Sequence, residues 1–130
     1  MIKIYLPTFL ARIKQAIKEG TLSNGGACRY SDTNEQGQCL GTCIVGAGIR
    51  DEEGFAYIAE FRNTTKFDEL VKEGLIEVPA KYIKRIQALQ SAFDELTYGQ
   101  KPGSHKSKLR HILRHLEITA RKDFPEAYAN

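Results

Sequence analysis

At 130 residues, 42% hydrophobic and 27% charged, the chain has the size and composition of one folded domain, away from the range of disordered chains. A formal charge of +3 and a pI near 8.8 fall short of the basic excess of duplex-binding domains, so nucleic acid is not the expected partner. No apolar run reaches the roughly 18 residues of a membrane span, the first residues lack the features of a signal peptide, and Cys28, Cys39 and Cys43 read as thiols in a reducing cytosol.

In chain order, Leu6, Phe9, Leu10, Ile13 and Ile17 recur at helical steps, Pro7 suits a first turn and Gly20 a helix end, which predicts a helix over 7–19. Residues 23–27 read as a turn. Residues 28–49 read as a short strand, a polar turn and a small apolar segment that fits either a strand or a short packed helix. Residues 55–61, FAYIAEF, alternate aromatic or branched residues with alanine and favour a strand.

Asn63 or Thr64 is the expected N-cap of a short helix that Gly74 ends. Pro79 opens the longest pattern, with Ile83, Ile86, Leu89, Phe93 and Leu96 on one stripe up to about residue 97. After a breaker-rich loop, Ser104 or Ser107 is the expected cap of a last helix carrying Leu109, Ile112, Leu113, Leu116 and Ala120, which fades near Phe124 and Pro125. The expectation is an α+β fold, with a small antiparallel sheet of two to three strands and about four helices. Residues 1–124 form a single ligand-binding domain and 125–130 a mobile tail.

Positive charge gathers at the C-terminal end, where Lys, Arg and His between residues 100 and 122 face one acid, Glu117. Arg110, Arg114 and Arg121 share a band beside the apolar stripe, with His111 and His115 further round. Arginines four apart project side by side, and their planar forks suit phosphate oxygens. A basic helix is more often a solvated face with a salt bridge from Glu117, so context has to decide. Phe61-Arg62-Asn63 and Arg29-Tyr30 supply some, since aromatics stack on bases while Arg and Asn meet phosphates and base edges.

Cys39 and Cys43 with His111 and His115 could be read as zinc ligands, but the two pairs are remote in sequence and buried thiols explain the cysteines equally well; no metal is expected. No nucleophile elbow, phosphate loop, zinc-protease helix or deaminase signature occurs, and the GAG of residues 46–48 lacks the third glycine of a dinucleotide fingerprint. The expectation is a binding protein without cofactor rather than an enzyme.

The order of a short N-terminal helix, GGACRY, a polar turn, QCLGTCIVGAGIRDEE and IQALQSAFDEL resembles a group of small phage-encoded proteins. Those carry a Cys-x-Tyr/Arg segment, a Cys-x-x-Gly segment ending in an acidic turn, and a Leu-Gln-x-x-His-Asp helix. Within that group the chain looks most like the Thoeris anti-defence sponges, although Phe93 stands where the pattern has His and Arg50 where it often has Pro. The resemblance implies a viral protein in the cytoplasm of an infected bacterial host. Such a protein binds a cyclic ADP-ribose isomer or cyclic oligonucleotide without cleaving it, in sites shared within a homo-oligomer, either a dimer or an assembly of dimers. It points to Arg110 and Arg114 for phosphates, Phe61 or Phe93 for stacking, and Arg29, Arg62 and Asn63 as secondary polar contacts. The competing expectations are a protein-binding inhibitor of a host defence complex that uses its basic surface, and an enzyme acting on a nucleotide through Cys or His.

Overall fold

The computed structural model describes residues 1–22, 30, 32–33, 39–41, 43–98 and 103–129. Strand β1 (Ile2–Lys3) leads into helix α1 (Leu6–Glu19), and β2 (Asp32–Thr33) and β3 (Cys39–Gly41) precede α2 (Ile44–Ile49). Then come α3 (Phe55–Phe61), α4 (Phe67–Lys72), β4 (Ile76–Glu77), α5 (Ala80–Thr97), α6 (Lys106–Asp123) and a single 3-10 turn at Pro125–Ala127.

The expected α+β architecture is overturned. Six α-helices among the described residues build the core, and the strand that enters it, β1, pairs parallel with β4 through Ile2 and Ile76. The ladder of β2 with β3 is a separate antiparallel pair, irregular between Asp32 and Thr33. Strand segments of two or three residues are too short to bury a sheet face, so helices supply the apolar surface.

Helix α1 buries Leu6, Phe9, Leu10, Ile13 and Ile17, the stripe its spacing predicts, together with Ala16, and Gly20 closes it in the left-handed conformation at φ 71°. Against it lies α2, whose six residues are all buried. A segment with no polar face carries no amphipathic signal, which is why the sequence left strand and helix open there. Gly48 permits the close approach: a Cβ on it would lie 2.4 Å from the Phe9 ring. Two polar contacts hold the start of α2. The Cys43 sulfur accepts from the Gly46 N–H at 3.3 Å, and the Oε1 of buried Gln90 accepts from the Val45 N–H at 3.1 Å.

Residues 55–61 form helix α3, not a strand. Their alternation also fits helical spacing: Ile58 is buried and Phe55 partly so, while Tyr57 and Phe61, four apart, stand on the outer side. Helix α4 starts at Phe67 after Lys66, without a side-chain cap. The expected cap, Asn63, is engaged elsewhere, with its Oδ1 accepting from the Tyr30 N–H at 3.1 Å. Helix α6 is preceded by His105 at φ 60° rather than by a serine cap.

The last two helices run antiparallel and are joined at one end. Asp123 receives the Tyr82 hydroxyl and the Lys81 ammonium, the latter at 2.8 Å, and Arg85 Nη1 donates to Thr119 Oγ1 at 2.9 Å. On its other flank α6 packs on α1. No helix among the described residues is long and apolar enough to cross a membrane.

Candidate functional site

Helix α6 turns its buried stripe of Leu109, Leu113, Leu116 and Ala120 inward, which leaves two flanks bordered by neighbouring helices. On the α1 side Arg110, Arg114, Glu117, Ile118 and Arg121 meet Lys14 around a groove of about 490 Å3. That volume lies within the usual range of small-molecule sites. Arg110 and Arg114 are exposed and, one turn apart, present their guanidinium groups to the same groove. No carboxylate among the described residues pairs with either.

The groove's one acid is occupied by its neighbour. Glu117, with 20% of its side chain exposed, is 3.5 Å from Lys14 Nζ, which draws the two helices together across the groove wall. Arg121 is placed by stacking, its guanidinium carbon 4.5 Å from the centre of the Tyr128 ring. Phe124, packed edge-on to Tyr5 at 5.2 Å, fixes the chain just beyond α6. Three arginines and a lysine against one acid make this a surface of net positive charge, suited to a ligand carrying more than one anionic group.

The other expected contacts do not line this groove. Arg62 is spent within its own segment, with Nε 3.0 Å from Glu73 Oε1 and Nη1 3.0 Å from the Phe61 carbonyl oxygen. Asn63 anchors Tyr30, whose hydroxyl in turn donates to the Thr65 carbonyl. Phe93 is 0% exposed in the core, which leaves its ring no free face for a base. Phe61 is exposed but leans on Tyr57, with ring centres 5.1 Å apart. Arg29, like Cys28, lies outside the described residues. The structure therefore brings together Arg110 and Arg114 and adds Arg121, Lys14 and Ile118. Lys14 was missed because nothing in the polar face of α1 tells which later helix covers it.

On the α5 side a larger groove of about 670 Å3 is lined by Ala92, Glu95, Leu96, Ser107, Lys108, His111 and Ile112. It continues into a smaller recess of about 300 Å3 that adds Arg85, Ala88, Leu89, His115 and Leu116. The His111 and His115 rings meet edge to face, with centres 6.1 Å apart. This groove is the roomier of the two, but its floor is aliphatic. The arginine groove has the convergent charges that anion recognition needs, and size alone does not outweigh them.

Among the described residues no group of three or more His, Cys, Asp or Glu is placed to hold a metal ion. Cys43 is buried at the start of α2, where its sulfur serves as a cap. Comparison with protein-family models, curated proteins and solved structures finds no match to this chain.

Proposed function

We propose that the chain binds a small nucleotide with at least two phosphate groups in the α1–α6 groove and sequesters it without cleaving it. The observation that carries this reading is the pair Arg110 and Arg114, one turn apart, without a carboxylate partner among the described residues, and opening on a groove with Lys14 and Arg121. Each guanidinium can donate two parallel hydrogen bonds to a phosphate, and the exposed Ile118 offers an apolar surface for a base beside them. Sequestration requires affinity alone, so a site built from arginines with no neighbouring nucleophile–base pair is sufficient for it.

The resemblance to the Thoeris anti-defence sponges narrows the ligand to a cyclic ADP-ribose isomer or a cyclic oligonucleotide. It also gives the reading its setting, a phage protein acting in the cytoplasm of an infected bacterium. Phe61, Arg62, Asn63 and Phe93 carry no part of it, since none lines the groove.

A thermal-shift series against cyclic ADP-ribose isomers and cyclic dinucleotides tests the proposal, because a ligand that binds only the folded state must raise the melting temperature. The protein is then loaded, heat-denatured and the supernatant chromatographed; intact ligand is expected. Recovery of a cleavage product would overturn sequestration. Loss of the shift in the Arg110→Ala, Arg114→Ala double variant, with helicity unchanged, is the expected site result, and an unchanged shift would remove the site assignment.

A further inference from the structure

The α5–α6 groove differs in kind from the arginine groove: it is apolar along its length and carries different charges at its two ends. The side-chain bonds between the helices gather where Lys81, Tyr82 and Arg85 meet Thr119 and Asp123, so the groove is closed there and widest at the opposite end, beside Leu96 and Ser107. Ala88 and Ala92, one turn apart on α5, leave a track without bulky side chains, and Leu89, Leu96, Ile112 and Leu116 wall it with aliphatic surface. From Arg85 to Leu96 the helix rises about 16 Å, which sets the length of the track.

The polar groups divide between the ends. Glu95, the one acid in the lining, stands at the wide end with Lys108 and Ser107. The recess at the closed end has no acid in its lining and is rimmed by Arg85 and His115. Asp123, the acid at that end of the helix pair, is taken by Lys81 and Tyr82. Exposed Arg85 donates through Nη1 to Thr119 Oγ1 at 2.9 Å, and Thr119 donates in turn to the His115 carbonyl at 3.2 Å. A neutral group thus tethers the guanidinium. No carboxylate among the described residues pairs with it, and its Nε–Nη2 edge is suited to take both oxygens of one carboxylate.

We propose that this groove binds a free fatty acid, with the carboxylate at Arg85 and His115 and the acyl chain along Ala88 and Ala92 toward Leu96. The charge matches: one guanidinium beside an imidazole suits a single negative charge, and the head sits at the end away from Glu95. So does the length, since an extended chain of about a dozen carbons, with bonds of about 1.5 Å, spans the track. A partner helix, about 10 Å across with its side chains, is too broad for a track made by two alanines.

Calorimetric titration of the full chain with dodecanoate, kept below the concentration at which it forms micelles, tests this. Saturable binding is expected, about 3- to 10-fold weaker for decanoate, because each methylene withdrawn from water contributes up to about fourfold. Dodecanol, which lacks the charge, should bind at least several-fold more weakly than dodecanoate. Ala92→Trp, which fills the track, should abolish binding. Arg85→Gln changes an exposed side chain, covers the case in which Ala92→Trp fails to fold, and should weaken dodecanoate at least several-fold while leaving dodecanol unchanged. The Arg110→Ala, Arg114→Ala variant should bind dodecanoate like the unmodified chain, which separates this site from nucleotide binding. Absence of saturable dodecanoate binding overturns the proposal, and binding of an acidic amphipathic peptide or of phosphatidylglycerol vesicles in its place would give the groove to a partner helix or a membrane surface. Dodecanoate binding that neither Arg85→Gln nor Ala92→Trp alters overturns it equally.

Discussion

Gly103 and Gly20 meet backbone to backbone: a Cβ built on Gly103 would stand 2.9 Å from both the Cα and the carbonyl oxygen of Gly20. Both residues have positive φ, 78° and 71°, and the Gly103 N–H donates to the Leu22 carbonyl at 2.9 Å. Lys106 Nζ, just beyond, reaches the Lys18 carbonyl at 3.2 Å. The end of α1 and the start of α6 are thereby set against each other, and that relation fixes where Lys14 stands relative to Arg110.

Gly103→Ala is therefore expected to destabilise twice over, through an unfavourable backbone conformation and through a clash with atoms that cannot rotate away. Together these cost about 2–4 kcal/mol. Gly74→Ala is the control, since φ there is 77° but nothing lies within 4 Å of the added Cβ, and it should lose only about 1 kcal/mol. Chemical denaturation of both variants checks this; equal losses would show that the close contact has no energetic weight.

Gly48→Ala probes the α1–α2 contact. The new methyl would overlap the Phe9 ring, and overpacking of this kind costs about 1–3 kcal/mol. The double change Gly48→Ala with Phe9→Leu should recover part of the loss, because a smaller side chain at position 9 makes room. A melting curve for each variant decides it, and a double variant no more stable than Gly48→Ala alone would count against the contact as the cause.

Acid stability should depend on Asp123. The hydrogen bond from Lys81, with that from the Tyr82 hydroxyl and the nearby charge of Lys122, holds its carboxyl below the usual range. A carboxylate whose pKa falls on folding stabilises the native state above its unfolded value of about 4, and that contribution is lost as pH drops through the folded value. Asp123→Asn should thus be less stable than the parent near neutrality and lose less between about pH 5 and about pH 2. Urea unfolding along that range gives the two profiles, and parallel profiles would sink the assignment.

Glu117 should oppose an anionic ligand. It is the acid within the arginine groove and holds Lys14. Glu117→Gln removes its charge and frees the lysine, so affinity for a nucleotide that binds there should rise about 3- to 10-fold, with a steeper salt dependence. Calorimetric titration tests this. A fall in affinity would instead make Glu117 an acceptor for a ligand hydroxyl or amino group.

The long amphipathic helices were legible in the sequence because their apolar residues keep one period: α1, α5 and α6 end within a residue or two of where the spacing, Pro79, Gly20 and Pro125 place them. Helices α2 and α3 were not. The first has no polar face to set a phase, and the seven residues of the second fit both periods until Ile58, with Phe55 beside it, is seen to turn inward. The small antiparallel sheet was expected from local composition, which cannot reveal that the segment at Ile2 finds its partner more than seventy residues later at Ile76. The Arg110 and Arg114 row was legible from spacing, whereas Lys14 needed the tertiary contact. Asn63 and Arg62 were attractive as polar groups beside an aromatic, yet their bonds to Tyr30 and Glu73 are part of how the chain folds.

Helix α1 finds one of its principal neighbours in α6, far along the chain from it. During synthesis the surface that α6 will cover stays bare while some ninety further residues are added, and contacts that span such distances form late and slowly. The arginine groove has no partial version: Lys14 is made early, while Arg110 to Arg121 arrive near the end. A nascent chain stalled before α6 would carry most of the core and, of the groove's lining, Lys14 alone, so the nucleotide binding proposed above would begin only once α6 has docked.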